Sequence, residues 1–353
     1  MAQTKTPTST KPVRFAQTRT FYRIFEIIPG LTTWCILLGP IILSFFVPIG
    51  VAYFIIAFDL YWLLKSIRMS YSLLVGYRRT RETERIDWNS RLIELKSLST
   101  SLSSARHQLD LARQRQASRS YIKSLTKEVE RLSLLNKHKS VIVDPDSVWQ
   151  CMIMPVYNES IDIVRPSLEA ILASEYDTKK IIMVLTYEER GGKETAETAR
   201  LLENEFGSKF GHYKTYCHPD GIAGEIKGKG PNISYAGRKI LKFIEQKNIP
   251  IKDVIVTTLD CDNRVHHQYL SRLTHAFCIS PNRMHTSFQP LTLFFNNLWD
   301  VPAPMRVIAT GNSFWVMVES VRQGRLRNFA SHAQPLQAPV SYTHLTLPTI
   351  LRV

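Results

Sequence analysis

The hydrophobic pattern changes character along the chain, and each stretch predicts a different kind of structure. From Leu31 to Leu64 the only charged residue is Asp59. A single helix of that length would measure about 50 Å against a hydrocarbon core of about 30 Å, so one straight membrane span fits poorly. Val47-Pro48-Ile49-Gly50 interrupts the run near its middle. The pattern predicts a transmembrane hairpin within residues 24–75, with helices at about 27–46 and 49–67. One tilted or kinked span is the alternative. The flanks are basic: Lys11, Arg14, Arg19 and Arg23 precede the run, and Lys65, Arg68, Arg78, Arg79 and Arg81 follow it. A hairpin keeps both clusters on the cytoplasmic side, as positive charge near membrane helices requires. The expected location is the cell (inner) membrane, multi-pass, with the N-terminus and the following domain in the cytoplasm.

Residues 76–142 are polar and basic, without Gly or Pro after Gly76 up to that limit. Apolar positions recur at Trp88, Leu92, Leu95, Leu102 and Leu109, then at Ile122, Leu125, Val129, Leu132 and Leu135. The second set has coiled-coil spacing, and polar Arg113 to Ser120 separates the two, which predicts an antiparallel helical hairpin. Such a pair either spaces or dimerises the protein as a solvated element, or uses its arginines on an anionic surface such as lipid or nucleic acid.

From residue 143 to 338 short β-branched runs alternate with amphipathic stretches. Strands are expected at 148–154, 180–187, 213–218 and 253–259, and helices at 160–174, 193–206 and 231–246. This alternation predicts an α/β fold with a mainly parallel sheet, whose ligands sit beyond the carboxyl ends of the strands.

Composition refines the picture. The 353 residues carry a net charge of +15, which favours an anionic partner. The five cysteines show no metal-ligand spacing and read as reduced thiols. Residues 1–23 lack periodicity and read as a disordered basic tail.

The candidate chemistry clusters at strand ends. Pro155-Val156-Tyr157-Asn158-Glu159 follows one strand, Tyr187-Glu188-Glu189 another, and Asp260-Cys261-Asp262 a third. Two carboxylates one residue apart can converge on a hard cation such as Mg²⁺ or Mn²⁺; a solvated turn is the plainer account of the same three residues. Between them, Lys227-Gly228-Lys229-Gly230-Pro231-Asn232 enters a helix. Glycine allows close backbone approach to phosphate, lysine supplies charge, and a helix N-terminus attracts anions.

MPVYNES, KGKGPN and LDCD, in this order, resemble motifs of the membrane-bound, processive branch of the family-2 glycosyltransferases, which includes cellulose and hyaluronan synthases. The resemblance implies a GT-A fold and transfer of a sugar from a nucleotide-diphosphate donor to a glycan or lipid acceptor, with inversion and with Mg²⁺ or Mn²⁺. It assigns Pro155, Tyr157, Asn158 and Glu159 to the nucleotide pocket, with Glu188 reaching the base or ribose. Lys229 and Asn232 would contact the diphosphate or donor sugar. Asp262 would be the principal metal ligand, with Asp260 beside it and near the ribose. Thr310, Gly311 and Asn312 resemble the small-residue turn beneath the acceptor. The expected partners are therefore a nucleotide-sugar donor, a glycan or lipid acceptor, the membrane and a second copy through the coiled coil; nucleic acid is not among them.

Two features depart from the family. Glu188-Glu189 stands where the family has Asp-Asp, and no acidic general-base motif follows Asn312. The last stretch, PVSYTHLTLPTILRV, resembles a translated sequencing adapter. Residues 339–353 are accordingly expected to be non-native, with the base of the natural protein beyond Ala338. A non-catalytic membrane coiled-coil protein with a nucleotide-sensing domain is the alternative function.

Overall fold

A computed structural model describes residues 19–223, 225, 227–296, 298–322 and 331–337. The basic tail over 1–18, the adapter-like segment 339–353 and the expected base beyond Ala338 lie outside the described residues. The chain divides into two compact units, Met1–Tyr71 and Ser72–Val353.

The first unit contains α1 (Arg19–Leu43) and the first part of α2 (Pro48–Glu84). Val47 N donates to Leu43 O at 2.8 Å and closes the turn, and Pro48 opens α2, where its missing N–H is not needed. Both helices are long and apolar enough to cross a membrane, and almost none of their apolar stretches is buried. The expected end of the second helix near residue 67 is not observed, because α2 continues to Glu84. Gly76 is the weakest helix former in that extension, and its missing side chain has a use. A Cβ there would lie 2.8 Å from both Cγ and the main-chain O of Met317, so Gly76 permits a close helix crossing.

In the second unit the segment expected to be a solvated helical pair is three helices: α3 (Trp88–Lys96), α4 (Leu98–Gln114) and α5 (Arg119–Lys137). Ser99 Oγ meets Asn136 Oδ1 at 3.3 Å, which pairs the start of α4 with the end of α5 and makes them antiparallel. The apolar seam is not self-contained. Leu92, Leu95, Leu98, Leu102 and Leu132 share one core with Val148, Ile255, Leu273 and Phe277 of the α/β domain. Ion pairs among Arg91, Glu94, Glu128 and Arg131 then tie α3 to α5.

The sheet contains β1 (Trp149–Val156), β2 (Ile181–Glu188), β3 (His212–His218), β4 (Val254–Thr258) and β5 (Ala333–Pro335). Its order is β3-β2-β1-β4-β5, parallel except for antiparallel β5. Alternation along β1 divides the core between the two faces. Met152 and Met154 pack on α6 (Ile161–Leu172) and α7 (Gly192–Phe206) through Leu168, Ile171, Leu202 and Phe206. Cys151 and Ile153 meet Ile233, Ala236 and Ile240 of α8 (Lys229–Gln246). The expected mainly parallel α/β fold is present. It is completed by α9 (Tyr269–Ile279), α10 (Ala303–Ser320) and β5, which the alternation did not mark.

Candidate active site

The chain winds from β1 through β2 to β3 on one side, then returns with β4 on the other side of β1. Between β1 and β4 the loops diverge, which opens a crevice at their carboxyl ends. Pairing persists one residue past β4, where Leu259 N donates to Ile153 O at 2.9 Å. Asp260 then begins a tight turn in which Asn263 N donates to Asp260 O at 3.0 Å, so both aspartates sit at the crevice.

The resulting cleft of about 550 Å³ brings together residues from distant parts of the sequence. Five carboxylates line it, those of Glu159, Asp162, Asp260, Asp262 and Asp300, against two cations, Lys229 and Arg264. Pro155 forms part of the wall. Lys229 is the first residue of α8 and is ion-paired with Oδ1 of Asp260. Burial holds its ammonium below the usual lysine range, opposed by the attraction of the Asp262 and Glu159 carboxylates. The Cys261 thiol is pushed up to about 12 by burial and by the neighbouring carboxylates, so it stays neutral.

Glu159 is held in place by its own loop. Its Oε2 accepts the amide N–H of Tyr157 at 2.7 Å and of Asn158 at 3.2 Å. Tyr157 O in turn accepts Thr195 Oγ1 at 2.8 Å, and a Cβ on Gly191 would fall 2.1 Å from that carbonyl. Glycine at 191 is thus what allows the end of β2 to pass under the Tyr157 turn. The Tyr157 ring is covered by the Arg190 guanidinium at 4.3 Å.

Several expected site residues are placed elsewhere. Asn232 is 1 % exposed and does not face the cleft. Its Oδ1 accepts Thr186 Oγ1 at 2.6 Å and its Nδ2 donates to Thr186 O at 3.2 Å, which locks α8 onto β2. Glu188 is buried and ion-paired with Arg190, in a separate small pocket with His218, Asp220 and Lys227. Glu189 is also committed, accepting the Asp220 amide at 2.9 Å. Thr310, Gly311 and Asn312 do not form a turn; they lie inside α10, with Thr310 Oγ1 bonded back to Arg306 O at 2.8 Å. One glycine in an otherwise helix-compatible run costs only about 1 kcal/mol, too little to break the helix. Trp299, Phe294 and Phe295, in the loop that precedes α10, are exposed.

The motifs also miss residues of the cleft. Asp162 follows Glu159 by three positions in the first turn of α6, a legible signal. Asn296 and Asp300 carry none; the loop reaches the cleft because Asn296 Nδ2 donates to Asp262 O at 2.9 Å.

Among the described residues no three His, Cys, Asp or Glu side chains are clustered as a ready metal cage. The donor set nonetheless fits a hard divalent cation that draws the rest of its shell from phosphate, the usual arrangement for Mg²⁺. A diphosphate entering a cleft with five carboxylates and two cations needs such a counter-charge.

No protein-family profile and no curated protein matches the chain. Among solved structures it is similar to the mannosyltransferase PcManGT from Pyrobaculum calidifontis in complex with GDP-Man and Mn²⁺, at 16 % identity and a TM-score of 0.34 over 53 % of this chain and 44 % of that one. It is also similar to S. aureus TarS 1-349, at 14 % identity and a TM-score of 0.27 over 52 % of this chain and 60 % of that one. The chain thus spans less than two thirds of the length of each. Likeness of this extent leaves the assignment of function to the chain's own residues.

Proposed function

We propose that the protein is a membrane-attached glycosyltransferase of GT-A type that transfers a sugar, with inversion, from a nucleotide-diphosphate donor to a glycan or lipid acceptor. The observation that carries this reading is the meeting, at the β1/β4 switch point, of the Asp260-Asp262 turn, Glu159 and the Lys229 end of α8. That combination suits a diphosphate held between a helix N-terminus and a metal-binding acidic turn.

Asp262, with Asp260 beside it, would hold Mg²⁺ or Mn²⁺, which when bound neutralises the charge on the departing nucleoside diphosphate. Lys229 leaves Asp260 for the phosphate oxygens, and the amides of the first turn of α8 add their partial positive charge. Asp260, released, accepts hydrogen bonds from ribose or sugar hydroxyls. Glu159, capped by two amides, keeps the Tyr157 turn rigid beside the nucleotide. The acceptor oxygen attacks the anomeric carbon as the bond to the phosphate oxygen breaks on the opposite face. Its proton goes to a general base, a carboxylate separate from the Asp260-Asp262 pair. The two apolar helices would cross the membrane as a hairpin with both basic flanks in the cytoplasm, on the donor side.

The test is binding of UDP, GDP, ADP and TDP to the full chain in nanodiscs, with Mn²⁺ or with EDTA. One nucleotide is expected to bind with Mn²⁺, to be lost in EDTA, and to be lost in Asp262→Asn. If none of the four binds with the metal present, the reading is wrong.

A further inference from the structure

We propose that two copies of the protein associate within the membrane along the Asp59 side of α2, their Asp59 carboxyl groups hydrogen-bonding to each other near the bilayer midplane. The inference rests on the membrane-hairpin part of the reading above and owes nothing to the donor cleft. Asp59 follows Pro48, the first residue of α2, by eleven positions, about 16 Å along the axis and so about halfway through a hydrocarbon core of about 30 Å. Its side chain is exposed, and among the described residues it has no hydrogen bond or ion pair. A carboxyl group at that depth is costly until another polar group meets it. The chain's own hairpin does not supply one. No other charged residue lies between Leu31 and Leu64, and the ammonium of Lys65 is engaged instead with the Trp62 ring at 4.1 Å. Gly50, Val51 and Phe54 line a groove against Gly39 and Leu43 of α1. At about 100° per residue, Asp59 projects from the side of α2 turned away from that groove.

The occupant follows from depth and spacing. Every copy inserted the same way carries Asp59 at the same level, so a parallel pair of α2 helices brings the two carboxyl groups together with no shift along the axis. One of them, protonated, donates to an oxygen of the other. Ala52 and Ser66 lie seven residues to either side of Asp59, which puts all three on one seam of a left-handed helix pair. Small side chains at 52 and 66 let the two backbones approach closely enough for the short Asp59 side chains to meet. Ile55 and Leu63, both exposed, flank the seam and supply its apolar packing. The surface from which the sequence leads one to expect self-association is already used: the α3–α5 seam packs on Ile255 and Phe277 of its own chain.

The test uses the full chain in liposomes with Cys35→Ala and Cys217→Ala, the other three cysteines being buried. Single cysteines are placed at Ala52→Cys or Ser66→Cys, on the Asp59 side, or at Tyr53→Cys, on the opposite and equally exposed side, and are oxidised with copper phenanthroline. Disulfide-linked dimer is expected to form at least fivefold more at 52 and 66 than at 53. Förster transfer between copies labelled at the exposed Lys139→Cys, followed as lipid dilutes them, reads the association itself. Asp59→Leu, which leaves the helix apolar and intact, is expected to weaken it at least tenfold, and Asp59→Asn, whose amide still pairs, less than threefold. Equal cross-linking at 52 and 53, or association unchanged in Asp59→Leu, would overturn the proposal. A chain that resists alkaline extraction from the liposomes yet stays monomeric would overturn it while leaving membrane insertion intact. A chain that alkali releases would overturn the membrane hairpin and this pairing together.

Discussion

Lys229 and Asp260 form an ion pair across the cleft, joining the first residue of α8 to the turn after β4. The pair places the ammonium in competition with any cation for Asp260. Lys229→Met is therefore expected to act in opposite directions on two ligands. Binding of Mn²⁺ alone should strengthen, because a carboxylate loses its partner, while binding of a nucleoside diphosphate with Mn²⁺ should weaken by about tenfold, the loss of one charge-assisted contact. Calorimetry of the two titrations decides it, and parallel changes in both would contradict the competition.

Asn232 makes the contrasting case. Its side chain is buried and bonded twice to Thr186, so Asn232→Ala removes a fastening between α8 and β2. A loss of about 1–3 kcal/mol of stability is expected from the unpaired buried groups. Nucleotide affinity should stay within about threefold, the range of a small backbone adjustment. Urea unfolding and nucleotide titration of the same preparation separate the two effects; intact stability with lost binding would return Asn232 to the donor site.

Gly191 and Gly192 are adjacent but constrained for different reasons. At Gly191 a Cβ would press on Tyr157 O, whereas at Gly192 the space is open and the constraint is a φ of +79°. Gly191→Ala should displace the Tyr157 turn, destabilise by about 1–3 kcal/mol and weaken nucleotide binding. Gly192→Ala should cost about 1–3 kcal/mol of stability, because φ +79° with ψ −169° is open essentially to glycine alone, and leave binding alone. Equal binding by the two variants would show that the Tyr157 turn does not position the nucleotide.

His275, on α9, is buried against the Trp88 ring at 5.3 Å, with Arg272 and Arg91 near enough to oppose a third positive charge. Burial and those arginines lower its pKa to about 4 from 6.5. The unfolded chain binds the proton more readily, so the stabilisation is complete above pH 6.5 and is lost as pH falls toward 4. The loss amounts to roughly 3 kcal/mol over that window. Thermal unfolding between pH 7 and pH 4.5 should therefore be less acid-sensitive in His275→Phe than in the parent protein; identical profiles would remove His275 from the account.

Local pattern carried much of this molecule. The β-branched runs at 181–188 and 254–258 and the amphipathic stretches between them encode strands and helices through side-chain burial alone, and a parallel sheet places their carboxyl ends together. For that reason the sequence alone puts Glu159, Lys229, Asp260 and Asp262 at neighbouring strand and helix ends, and the fold brings all four to one cleft. Where spacing misleads, a partner far along the chain decides. Asn232 lies in the motif but turns to Thr186, Glu188 turns to Arg190, and Thr310 to Asn312 continue a helix. The Leu92 to Leu132 seam has the period of a coiled coil, yet a heptad does not state what covers it, and here part of the cover is Ile255 and Phe277. Asp300 and the exposed side of α10 are likewise set by how the chain returns between β4 and β5, a long-range arrangement that no local run of residues specifies.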